Sequence, residues 1–267
     1  MGELVFVGLG LYSEKDISLH GIEEAKDSSV VFAEFYTSLM PELNLSKLEK
    51  LVEKRITVIS RRDLEEERGK KILAAAEMGK TVLLVPGDPL IATTHVDLRI
   101  RAQRQGIRTK IVHGASIVSA VMGLSGLQNY KYGRSVTIPF SDSGLIVETP
   151  YNVLKINKKL GLHTLCYLDI RAEEKRYMSI KEGLEALLSV EKQKLQRVVT
   201  LETTAIGIAR AGSNAPTVKA NRVSELLKFD FGAPPHVLVF PGRLHFMEAE
   251  ALIAMAKAPE TVRRMVK

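Results

Sequence analysis

One cysteine, Cys166, occurs in 267 residues. An internal disulfide is therefore excluded, and a lone thiol in the apolar run Thr164–Ile170 reads as an inert core residue. The six histidines, His20, His95, His113, His163, His236 and His245, include no two at metal-ligand spacing. With a single cysteine they complete no zinc site, and no metal is expected. There is no G-x-S-x-G nucleophile elbow and no G-x-x-x-x-G-K-[ST] phosphate loop, so hydrolase and nucleotidase readings have no anchor. Apolar runs all fall short of the ~20 residues that span a bilayer. The sequence opens on a strand without a basic and apolar leader, and the expected location is cytoplasmic. Internal repeats and low-complexity segments are also missing.

What is present suits a soluble globular protein with ample core: 45% hydrophobic and 26% charged residues. The net charge is +7. The basic residues are dispersed, as in Arg99, Arg101, Arg104, Arg108 and Lys110. Neither a Lys/Arg block nor an interleaved aromatic set is formed, so a solvated basic face is expected rather than direct nucleic-acid binding. Charge alone still leaves a non-catalytic RNA-binding module as a rival.

The first half alternates strands and helices. Strands are expected at Leu4–Val7, Val30–Glu34, Ile56–Ile59, Thr81–Val85 and Lys110–His113, with helices at Ile17–Lys26 and Leu45–Glu53, the latter capped by Asn44. Asp63 with Glu66 forms a capping box for a helix ending near Met78. This spacing specifies an α/β domain with a mostly parallel sheet and helices on both faces. The second half is α/β with a mixed sheet. Its expected strands are Ser135–Phe140, His163–Ile170, Ala205–Ala211 with Thr217–Ala220 as a hairpin, and His236–Phe240. A Ser/Gly-rich turn is expected at Ser141–Gly144. Helices are expected from Thr149 to Gly161, from a Ser179–Glu182 box to Gln193, over Asn221–Phe229 and over Leu244–Ala256. The expected division is 1–120 and 121–267.

The organising stretch is Thr81–His95, TVLLVPGDPLIATTH. A buried β-branched strand stops at Pro86-Gly87. Asp88 then N-caps a helix with Pro89 at its first position, continuing to about Gln105 with Gly106 beyond its end. This arrangement puts a carboxylate and free backbone donors at the carboxyl end of a sheet, where α/β proteins bind small molecules. The same residues also suit a well-capped loop without a ligand. Gly8-Leu9-Gly10 suggests a dinucleotide site with Glu34 as the acid, but the third glycine position holds Ser13, and a nicotinamide-dependent oxidoreductase rests on this fragment alone. Gly10-Leu11, Gly87-Asp88 and Ser116-Ile117 all end strands of one sheet and together can line a cleft. Tyr36 and Thr37 can face it too, or pack as core.

Several stretches carry a resemblance: the initial strand with Gly8-Leu9-Gly10, AEFYTSLM at Ala33–Met40, GDPLIATTH at Gly87–His95, GASIVSA at Gly114–Ala120, HTLCYLDI at His163–Ile170, ARAGS at Ala209–Ser213 and FGAPPHVLVFPGRLH at Phe231–His245. The chain resembles the tetrapyrrole-methylase superfamily of S-adenosylmethionine-dependent methyltransferases. Within it the chain is similar to the branch that acts in diphthamide biosynthesis. Two departures stand out. GPGDPELLT, common after the first strand in the superfamily, is replaced by Gly10-Leu11-Tyr12-Ser13-Glu14-Lys15-Asp16-Ile17-Ser18, which argues against a porphyrin substrate. Ala115 stands where the branch commonly has proline.

The resemblance implies a two-domain homodimer with S-adenosylmethionine in the cleft between domains and S-adenosylhomocysteine as product. It implies cofactor contacts at Leu11, Asp88, Ile91, Ser116, Ile117, Leu168, Ala211 and His236. The implied substrate is the amino group of the 3-amino-3-carboxypropyl-histidine of translation elongation factor 2. A relative acting on ribosomal RNA or a tetrapyrrole is the alternative. No side chain identifies itself as a catalytic acid or base.

Overall fold

A computed structural model describes residues 2–141 and 147–266. The turn expected at Ser141–Gly144 falls mainly outside them. Two compact units are formed, one of residues 1–117 with 172–175, the other of 118–171 with 176–267.

In the first unit the chain runs β1 (Glu3–Gly8), α1 (Leu19–Lys26), β2 (Val30–Glu34), α2 (Leu45–Val52), β3 (Ile56–Ile59), α3 (Arg61–Glu65), α4 (Lys70–Met78), β4 (Lys80–Val85), α5 (His95–Arg104) and β5 (Arg108–Val112). The sheet order is β3-β2-β4-β1-β5, and each pairing is parallel. Strand alternation splits the core in two. Val5, Val7, Val31, Val82 and Leu84 pack with Ala25 of α1 and Leu48 of α2. Leu4, Phe6, Phe32, Leu83 and Val85 pack with Ile72 of α4 and Leu98 of α5. The connections leaving β1 and β2 therefore cross one face of the sheet, and the connection leaving β4, which lies between them, crosses the other. A crevice at the carboxyl end of β4 follows from that order.

The second unit runs α6 (Ile117–Ser125, from the last residue of the first unit), β6 (Val136–Ile138), α7 (Thr149–Leu160), β7 (Thr164–Leu168), the short pair β8 (Ile170–Arg171) and β9 (Arg176–Tyr177), α8 (Ile180–Lys194), β10 (Thr204–Ala209), β11 (Thr217–Arg222), α9 (Val223–Leu226), β12 (His236–Phe240) and α10 (Phe246–Ala256). Its sheet order is β11-β10-β12-β7-β6, mixed as expected: β6 and β7 are parallel, the other neighbours antiparallel. Cys166 is buried in the core with Tyr151, Leu154, Leu184, Leu187 and Leu238, and burial pushes its thiol pKa up.

Four expectations need correction. The helix expected from Pro89 starts at His95, because residues 88–94 form turns, Ala92 adopts φ +56°, and the Asp88 carboxylate turns back on Leu90 N–H at 3.3 Å. The capping box of α3 belongs to Ser60 and Asp63, not Asp63 and Glu66. The Ser60 hydroxyl accepts from Asp63 N–H, and the Asp63 carboxylate accepts from Ser60 N–H. That helix also breaks after Glu65, where Arg68 and Gly69 turn left-handed. Asn221 and Arg222 complete the pairing of β11 with β10, leaving only Val223–Leu226 helical.

A buried carboxylate anchors one corner of the second unit. Glu248, fully buried, accepts from the backbone N–H groups of Gln128 (2.9 Å) and His245 (2.8 Å), from Lys131 Nζ and from His163 Nε2 (3.0 Å). His163 Nδ1 accepts from Gly242 N–H at 2.9 Å, so the proton of its neutral ring sits on Nε2, the atom facing Glu248.

Candidate functional site

The carboxyl ends of β1, β4 and β5 converge in the first unit. Gly10 and Gly87 exchange backbone hydrogen bonds, Gly10 N–H to Gly87 O at 3.2 Å and Gly87 N–H to Gly10 O at 2.6 Å. Gly8 is required by close approach. A Cβ there would lie 2.5 Å from the Gly87 carbonyl oxygen and 2.6 Å from Gly114 N. Gly10 has φ +80°, the left-handed region that side chains other than glycine's rarely occupy. Nothing lies within 4 Å of where a Gly87 Cβ would project, so the chain is open on that side.

Leu11 follows directly and is half-buried. Its loop is pinned by Asp16, whose carboxylate accepts from Tyr12 N–H (2.7 Å) and Ser13 N–H (3.0 Å). Ser13 caps a single 3-10 turn, and α1 begins only at Leu19. The glycines of β1 consequently lead into a loop rather than onto a helix N-terminus, and the dinucleotide fingerprint lacks its phosphate-binding helix.

Asp88 is 8% exposed. One carboxylate oxygen meets Leu90 N–H; the other lies 2.7 Å from Nδ1 of His113, the residue after β5. His113 itself is largely exposed. Ile91 projects from the same loop and is exposed, while Ser116 and Ile117 are half-buried where α6 begins. These five predicted contacts thus come together on neighbouring loops of one sheet edge.

In the second unit, Ala209 stands opposite His236 and Tyr167 opposite Val237. That register brings Leu168, Ala211 and His236 to one end of the second sheet. The loop is held by Arg210, which donates to the carbonyls of Phe231 and Ala233 and to the Thr217 hydroxyl, while Arg210 N–H reaches Pro235 O at 2.8 Å. Both nitrogens of His236 are engaged, Nδ1 with Ile180 N–H at 3.4 Å and Nε2 with Gly232 O at 3.1 Å. Burial lowers its pKa. Its backbone and ring face, rather than its nitrogens, are what it has to offer a ligand. Leu168 is buried and packs as core.

The chain matches the family model for tetrapyrrole (corrin/porphyrin) methylases over residues 3–227. The chain belongs to the tetrapyrrole methylase family. Among similar members, diphthine synthase of Methanocella arvoryzae is 49% identical over 253 residues, 95% of this chain and 98% of that protein. Diphthine synthase of Methanosarcina mazei is 48% identical over 264 residues, 97% of this chain and 98% of that protein. A crystal structure of diphthine synthase superposes with a TM-score of 0.89 at 41% identity, covering 99% of this chain and all of that one.

Sequence reasoning offered Glu34 only as a dinucleotide acid and Tyr36 and Thr37 only as cleft or core residues, and the bonding among them escaped it. Glu34, fully buried at the end of β2, accepts from Tyr36 N–H (2.9 Å), Thr37 N–H (3.0 Å) and the Thr37 hydroxyl (2.5 Å). Tyr36 is buried and Thr37 half-buried, so AEFYT closes on its own glutamate. The signal available was an acid ending an otherwise apolar strand. His113 beside Asp88 had no such signal, because 25 residues separate the two.

Proposed function

We propose that the chain is a diphthine synthase, transferring methyl groups from S-adenosylmethionine to the amino group of the 3-amino-3-carboxypropyl-histidine of translation elongation factor 2. The carrying observation is that its likeness to diphthine synthases runs end to end at nearly half identity. The family and those relatives make it an S-adenosylmethionine-dependent methyltransferase of diphthamide biosynthesis.

The residues present suit that cofactor. Asp88 supplies an anion held in place at a loop edge, matched to the ammonium of a methionine moiety. Leu11, Ile91, Ser116 and Ile117 supply apolar walls and backbone groups around it in the first unit, and Leu168, Ala211 and His236 gather at one end of the second unit's own sheet. The bound sulfonium supplies an already activated methyl carbon. The task left to the protein is to align the amine with that carbon and take the amine's proton, positioning that contributes several kcal/mol, up to ~7–11 in ideal cases. We place the enzyme in the cytoplasm as a homodimer, with elongation factor 2 as its protein partner.

The test is transfer of isotope-labelled methyl from the cofactor to elongation factor 2. Label is expected on factor bearing the carboxypropylated histidine and absent from factor with an unmodified histidine. Equal labelling of both, or of neither, overturns the reading.

A further inference from the structure

Beside β4, at the carboxyl end of its neighbour β2, the protein buries a polar cluster distinct from the proposed cofactor contacts. Glu34 ends β2, and His95 opens α5, the helix that ends the Asp88 loop. Their nearest atoms, Glu34 Oε1 and His95 Nε2, are 3.7 Å apart, with both side chains shut from solvent. Neither ring nitrogen of His95 has a hydrogen-bond partner among the described residues. Native proteins seldom leave two nitrogens of one buried ring unsatisfied. Tyr36 closes the cluster on one side, its ring centroid 6.4 Å from that of His95 and its buried hydroxyl beside Thr94. Arg61 covers the Tyr36 ring at 5.2 Å, and Glu65 is the remaining charge felt there. Among the described residues, Thr37 alone combines a direct hydrogen bond to Glu34 with partial exposure.

We propose that Glu34, reached through the Thr37 hydroxyl, accepts the proton of the amino group to be methylated. The inference rests on the methyltransferase reading above. A substrate ammonium is not nucleophilic; one N–H bond must break and leave its electron pair on nitrogen. In the relay, Thr37 Oγ1 takes that proton while its own O–H proton passes along the 2.5 Å hydrogen bond to Glu34 Oε1. His95 Nε2 lies 3.7 Å from Glu34 Oε1, in contact rather than hydrogen-bonded, and its buried ring helps to shut the carboxyl group from solvent. Burial, opposed by the Thr37 and Tyr36 hydrogen bonds and by Arg61, raises the Glu34 pKa to about 7, while burial lowers His95 to about 4, leaving the ring neutral. A base poised near neutrality suits an amine proton at working pH. Glu34 and Thr37 serve as the relay.

The experiment is the single-turnover rate of methyl transfer to precursor-bearing elongation factor 2 from pH 6 to pH 10, with ~10²–10⁴-fold the usual worth of a general base. For wild type the rate should rise through the neutral range and level off. Glu34→Gln and Thr37→Val should each lose ~100-fold or more near pH 7 and recover toward high pH, where the amine sheds its proton unaided. Thr37→Ser should restore the wild-type profile. S-adenosylhomocysteine affinity, read by calorimetry, should not change in any of them. A folded Thr37→Val with the wild-type rate and profile overturns the relay, even if Glu34→Gln fails to fold. Rate losses matched by lost cofactor affinity also overturn it. Wild-type protein that binds cofactor and adds no methyl group overturns the underlying reading, and the relay with it.

Discussion

Nδ1 of His113 stands 2.7 Å from Oδ2 of Asp88, joining the loops that follow β5 and β4 across the end of β1. The pairing leaves Asp88 anchored by two contacts, Leu90 N–H and His113, in a loop with no helix cap to maintain.

Removing that carboxylate should therefore cost ligand affinity more than folding. Asp88→Ala is expected to weaken S-adenosylhomocysteine binding by ~10–100-fold, the ~1.5–3 kcal/mol of a charge-assisted contact. Its unfolding free energy should fall by less than ~1 kcal/mol, since an exposed histidine pair and one turn hydrogen bond are lost. Calorimetric titration beside urea unfolding checks both. Unchanged affinity would remove Asp88 from the cofactor site.

Glu34 makes a prediction about stability that is independent of catalysis. Its folded pKa, about 7, lies above the ordinary carboxyl value of 4.5. Between those values the folded state holds the extra proton, so wild-type stability should fall as pH rises from about 4.5 to about 7 and then level off. Glu34→Gln carries no such dependence. Relative to wild type it should gain up to ~3 kcal/mol between pH 4.5 and pH 8, the ceiling from ~1.4 kcal/mol per pKa unit. Urea unfolding of both proteins at the two pH values measures it. A constant difference would mean that Glu34 is an ordinary carboxylate.

Glu248 behaves in the opposite sense. Burial raises its pKa, but the His245 backbone N–H, Lys131, the Gln128 backbone N–H and His163 together outweigh burial and hold it below the ordinary value. Its stabilisation is thus present at neutral pH and is lost as pH falls through the depressed folded pKa. Glu248→Ala strands Lys131 and the buried His163 and uncaps α10, and should cost ~3–5 kcal/mol at pH 7. Thermal unfolding at pH 7 should show a large loss that shrinks in acid. A loss below ~1 kcal/mol would show that the network adds little.

Most of the fold was legible because its strands are short β-branched runs separated by real caps. Val30–Glu34, Ile56–Ile59 and His236–Phe240 form as expected, as do the Asn44 cap of α2 and the Ser179–Glu182 box of α8. Pro89 misled because a proline after an aspartate suits either a helix start or a turn, and tertiary contact with His113 decides between them. The dispersed positive charge was legible but its pairing was not. Arg101, Arg108 and Lys110 are ion-paired with Asp97, Glu3 and Glu24. Asp88 could be picked out as a candidate because its loop follows a central strand. The Glu34–His95 pairing could not, since β2 and β4 become neighbours only through sheet order.

The most direct test is tandem mass spectrometry of elongation factor 2 bearing the carboxypropylated histidine, after incubation with the protein and S-adenosylmethionine. The account predicts methyl increments confined to that one modified side chain, with S-adenosylhomocysteine formed in step. Methyl groups on another residue, or cofactor turnover without any change in the factor, would contradict it.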